Sequence, residues 1–146
     1  MNSISLDQAS VIADQALRQG RESKFAPLTV AVLDAGGQLK VLKREDNSSL
    51  LRPEIAIGKA WGVLGMGFGG RELARRAELV PTFFTALNTM SNGRMVPVAG
   101  GVLIKNSAGQ VVGSIGISGD TSDNDEICAV HGVRAADLMP DTGRPE

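Results

Sequence analysis

His131 is the only histidine in the 146-residue chain. Its ordinary pKa near 6.5 suits it to moving a proton at neutral pH or to donating a nitrogen to iron. It falls on the spacing Ile127, His131, Ala135, Leu138, a helical stripe expected to face the core or its margin. A partly buried histidine with a backbone partner is therefore the competing reading. Lys59 sits in AIGKAWG among Ile57, Ala60 and Trp61. An amine desolvated there would bind a substrate carboxylate or act as a base, whereas a lysine snorkelling at a solvated edge would do neither. Asp125 and Glu126 follow DTSDN, a run rich in N-capping types. Carboxylates at a helix start complement the dipole without any chemistry, yet Glu126 and Asp46 would form an acid pair if the sheet joined them. Arg94, in the MSNGRM loop, is placed to fork onto a carboxylate, propionate or phosphate.

Other chemistries find no residues. Cys128 is the sole cysteine, so it forms no intrachain disulfide and reads as a small buried hydrophobe. No Cys/His cluster has the spacing of a zinc site, and no metal site is assigned.

The glycines of AGGVLIKNSAGQVVGSIGISGD, Ala99 to Asp120, raise a different possibility. In a strand Val111, Gly113, Ile115 and Ile117 would share one face, and Val112, Ser114, Gly116 and Ser118 the other. The second face is nearly bare. Beside the Gly100-Gly101 loop and the opening of the last helix, its free N–H groups would seat an anion on Gly100, Gly101, Gly116, Ser118 and Asp125. The alternative is that small residues there admit a packed helix. The pattern is neither a dinucleotide fingerprint, which needs its glycines between a strand and a helix, nor a phosphate loop, since Ser or Thr does not follow Lys59.

The elements that must position these residues are readable from periodicity. Ser5 with Gln8 forms a capping box for a helix from Ser5 to Glu22. LTVAVLD, AGG and QLKVLKRED make a hairpin. A helix starts just after Pro53, with Gly58, Gly62 and Gly65 on one side where another backbone can approach; GMGFGG breaks it. Two short helices follow, RELARRAEL and PTFFTALNTM, and Phe83, Phe84, Leu87 and Met90 offer more apolar area than a short excursion needs, so a neighbouring copy is expected against them. VPVAGGVLIKN and GQVVGSIGIS form a second hairpin, and a closing helix runs from Asp125 to about Leu138. The order α-β-β-α-α-α-β-β-α predicts an α+β fold, an antiparallel sheet with helices packed on its faces. Residues 1–140 form the one domain, and 141–146 a disordered tail.

Composition narrows the partners. A net charge of −1 offers no general attraction to nucleic acid or anionic membranes, and no apolar run is long enough to span a bilayer. With one cysteine and no secretory leader pattern, the chain reads as a cytoplasmic protein with a small, anionic ligand.

Taken in order, VAVLDAGGQLKVLKRED, AIGKA, AGGVLIKNSAGQVVGSIGISG and DNDEICA resemble the GlcG/HbpS-like proteins, the haem-degrading domain family that includes the C-terminal domain of PduO-type proteins. The resemblance covers roughly Leu28 to Leu138. It implies a profilin-like fold, homo-oligomeric assembly and haem as the cofactor to test. The sequence departs from the family at Ala99, where a proline usually precedes the two glycines, and at Asn124, where a glutamine usually precedes Asp-Glu. Two functions stay open: a small-molecule-binding protein that handles haem, and a cofactor-independent catabolic enzyme using Lys59, Glu126 or His131 as acid or base on an organic acid. An oligomeric accessory protein is the third.

Overall fold

A computed structural model describes residues 2–145. The elements run α1 (Leu6–Glu22), β1 (Thr29–Asp34), β2 (Leu39–Arg44), α2 (Arg52–Met66), α3 (Gly70–Leu79), α4 (Pro81–Met90), β3 (Gly101–Lys105), β4 (Val111–Ser118), α5 (Ser122–Ala135) and β5 (Met139–Asp141). The expected order holds, with one strand added at the end. All strand pairs are antiparallel, in the order β2-β1-β4-β3-β5. The sheet separates two helical layers.

Helix α1 begins where its capping box places it: Ser5 Oγ accepts from Gln8 N at 3.1 Å, and Gln8 Oε1 accepts from Ser5 N at 3.0 Å. Its buried stripe Ala9, Ile12, Ala13 and Ala16 packs with α5 over Val30, Val32, Ile115 and Ile117. Burying each large aliphatic chain there contributes about 1.5–3 kcal/mol. On the opposite face α2 lies over β4 and β1, and Val63, Leu73 and Leu103 form a second, smaller cluster with Phe84 and Met95.

Four expectations change. The closing helix starts at Ser122, three residues early, because Thr121 within the DTSDN run caps it, its side chain accepting from Asn124 N at 3.2 Å. The tail is not loose through Asp141: β5 pairs with β3, and Thr142 O accepts from Arg71 N at 3.0 Å. A bulge opposite Ile104/Lys105 turns β4 by one residue, so Val112 joins the α1/α5 core and Val111 packs on the α2 side, the reverse of simple alternation. The stripe Ile127, His131, Ala135 faces outward, with Ile127 48% exposed and His131 exposed; the α5 residues that turn inward are Asp125, Cys128, Ala129, Gly132 and Val133.

Candidate functional site

The sheet face expected to be bare is covered by α2. A Cβ on Gly116 would run into Ala56 O and lie 2.8 Å from Ala60 N, and one on Gly101 would lie 2.6 Å from Lys59 O. Ser114 Oγ donates to Ala60 O at 2.7 Å, and Ser118, fully buried, accepts from Arg52 Nη1 at 3.0 Å. The missing side chains let a helix backbone close on the strand, so no guest fits at Gly116.

Under that helix lies a closed polar cluster. Lys59 is 3% exposed and Asp125 1%. Lys59 Nζ donates to Ile117 O at 2.8 Å and to Asp125 Oδ2 at 3.1 Å, while Asp125 Oδ1 accepts from Asp120 N at 3.0 Å. Gly100 makes this possible: with φ +104 and no side chain, it leaves room for the ammonium, which lies 2.9 Å from where its Cβ would be. Burial lowers the Lys59 pKa and raises that of Asp125, each opposed by attraction to the other. Lys59 is desolvated as the sequence suggests, but two of its three donors are spent on protein atoms.

Glu126, the next residue, turns to another neighbourhood. It is 3% exposed and accepts from Arg71 Nε at 2.9 Å and from Arg144 Nε at 3.0 Å. Arg71 also pairs with Asp123. Glu126 therefore ties the start of α3 and the segment after β5 to α5.

That segment closes one side of a cleft of about 540 Å³. Gln19 of α1 and Glu126 stand at its walls, with Ile127, Val130 and Pro140 apolar and His131, Arg134 and Arg144 polar or charged. Ile127, Val130, His131 and Arg134 recur at i, i+3, i+4 and i+7, hence on one side of α5. The volume lies in the range of small-molecule sites, and the lining combines apolar with polar and charged residues. His131 and Glu126 are brought together here; Lys59, Asp125 and Gly100 belong to the closed cluster, and Gly101, Gly116 and Ser118 lie under α2.

Two expected residues lie elsewhere. Asp46 lines a polar surface cleft with Arg21, Pro27, Arg44, Glu45 and Asn47, so it shares no cleft with Glu126. Arg94 stacks over Trp61, its Cζ 4.3 Å from the ring centroid, and its Nε donates to Ser91 O at 3.0 Å. Burial pushes the Cys128 thiol up to about 12, so it carries no thiolate at neutral pH. Among the described residues no group of three or more His, Cys, Asp or Glu is placed to hold a metal ion.

Arg134, Arg144 and Arg71 were not singled out by sequence reasoning. Arg144 lies in the stretch expected to be a disordered tail, and the three residues of β5 are too few to show a strand period. Arg134 was legible, since it falls seven residues after Ile127 on the same helical side.

A five-stranded antiparallel sheet between two helical layers, with a cleft beside its last helix, defines a profilin-like α+β protein. A family model described as haem degrading protein HbpS-like matches residues 4–134, and the chain belongs to that family. Among curated relatives it is 24% identical over 124 residues to an uncharacterized 15.0 kDa protein in the dhaT-dhaS intergenic region of Citrobacter freundii, covering 82% of this chain and 86% of that one. It is 24% identical over 136 residues to the corrinoid adenosyltransferase PduO of Citrobacter freundii, covering 93% of this chain but only 40% of that enzyme. The crystal structure of the PduOC:heme complex superposes with a TM-score of 0.83 at 24% identity, over 97% of this chain and 99% of that one. No described helix is long and apolar enough to cross a membrane.

Proposed function

We propose that the chain is a small-molecule-binding protein that takes haem or a similar flat, carboxylate-bearing ligand in the cleft beside α5. The observation that carries this reading is that His131, the only histidine, lines that cleft together with apolar Ile127, Val130 and Pro140. These residues fit the group. An exposed imidazole is free to ligate iron, the aliphatic wall suits a macrocycle, and arginines suit propionates. Bound haem would supply a redox-active iron; the chain itself would hold, orient and partly desolvate it. The heme-bound PduOC structure supports the ligand class by kinship of fold.

The enzymatic alternative is weaker because Lys59 lies apart from the cleft that Glu126 and His131 share, and two of the three candidates are held by protein partners. Lys59 is bonded to Ile117 and Asp125, and Glu126 is held by two arginines. We further propose that the chain self-associates through α4, and that it works in a reducing, cytoplasmic setting where Cys128 stays a thiol.

Hemin titration tests the ligand. A saturable, stoichiometric Soret shift in the wild type that is lost in His131→Ala is the expected result. No saturable shift, or one unchanged in His131→Ala, would overturn ligation at this cleft.

A further inference from the structure

The α5 cleft carries more positive charge than its own structure uses. Glu126 is already met by Arg71 through Nε at 2.9 Å and Nη2 at 3.3 Å, so Arg144 is its second guanidinium. Arg134, exposed in the last turn of α5, has no hydrogen-bond or ion-pair partner for its side chain among the described residues. A buried carboxylate needs compensation, which Arg71 supplies without Arg144. Arg144 is therefore free to turn toward a guest at little cost to Glu126, and Arg134 faces the same cleft with nothing to exchange.

Resting on the assignment of the ligand to this cleft, we propose that Arg134 and Arg144 are its specificity-determining residues, each receiving one carboxylate of a dicarboxylic amphipathic ligand. Recognition then comes from the acidic arms as much as from any metal, and Glu126 serves as the resting partner of Arg144. Charge-assisted bonds between guanidinium and carboxylate are the stronger class of hydrogen bond, and their planar fork discriminates against an ester, which carries no charge. A surface arginine that only complements the α5 C-terminus would show no such discrimination.

The test titrates the wild type with hemin, with metal-free protoporphyrin IX and with protoporphyrin IX dimethyl ester, following absorbance and porphyrin fluorescence, and repeats the series with Arg134→Gln and Arg144→Gln. Protoporphyrin IX is expected to bind, with the ester weaker by about tenfold or more. Each glutamine variant should lose a similar factor for the acid and little for the ester. Arg134→Gln removes no contact seen in the fold, so its loss cannot be ascribed to unfolding. If hemin binds but the ester matches the free acid, or Arg134→Gln binds the acid as the wild type does, the proposal is overturned while the haem reading stands. If hemin binds and protoporphyrin IX does not, iron ligation alone governs and the proposal again fails. If none of the three binds, the cleft assignment falls and this proposal with it.

Discussion

Lys59 Nζ and Asp125 Oδ2 meet 3.1 Å apart, although α2 and α5 lie on opposite faces of the sheet. The lysine passes the end of β3 where Gly100 has no side chain, so the pair fastens the two helical layers together. Removing one partner leaves the other charge buried and unpaired. Lys59→Met is expected to cost about 3–5 kcal/mol in urea unfolding, and Lys59→Met with Asp125→Leu to recover a large part of that. A double variant no more stable than the single would mean that the charges themselves, rather than their balance, hold the site.

The glycines of α2 should respond in opposite directions. A Cβ on Gly58 would lie 2.9 Å from Arg94 O and 2.6 Å from Val96 Cγ2, whereas Gly65 has nothing within 4 Å. Gly58→Ala should destabilise by about 1–3 kcal/mol through overpacking. Gly65→Ala should stabilise by up to about 1 kcal/mol, because alanine favours helix. Thermal melts of the two variants against the wild type check both signs.

Acid stability should depend on Asp120. Its carboxylate accepts from Ala26 N at 2.7 Å, Thr121 N at 2.7 Å and Asn124 Nδ2 at 2.8 Å, and these bonds hold its pKa below the ordinary aspartate value. A depressed folded pKa favours folding above the unfolded value of about 3.9, and that contribution fades as pH falls through the folded value. Asp120→Asn should therefore lower stability at neutral pH and flatten its decline on the acid side. Urea midpoints measured between roughly pH 3 and pH 6 would reveal this; parallel curves for variant and wild type would refute it.

Helix α4 should mediate self-association. Among the described elements its backbone lies close only to α3, Phe84 alone of its residues is buried in the α2-side cluster, and Phe83 and Met90 are 53% and 75% exposed. Light scattering is expected to give a dimer or larger for the wild type and a shift toward monomer for Phe83→Glu with Met90→Glu. A monodisperse wild-type monomer would remove the idea.

Much of the fold was legible because its signals are local. The Ser5–Gln8 capping box, the AGG turn and the 3.6-residue periodicity of α1 and α2 each depend on residues close in sequence. What misled was tertiary. Whether Gly116 is bare for a guest or for a helix depends on where α2 lands, which no spacing within β4 discloses. The outward turn of His131 follows from Cys128, Ala129 and Val133, whose side of α5 packs in the α1-side core, and the role of Arg144 from a strand too short to announce itself. Lys59, Asp125 and Glu126 stand out in the sequence by chemical type; only the folded arrangement separates the two that lock the interior from the one beside the cleft.

Adjacent residues of a helix project about 100° apart. Asp125 is gripped from the sheet side and Glu126 from the flank, so α5 is keyed at two bearings on its circumference and cannot roll about its axis. His131 and Arg134, farther along the same rod, thereby inherit a fixed angular setting, and a molecule entering beside them meets a wall whose orientation was decided a turn earlier.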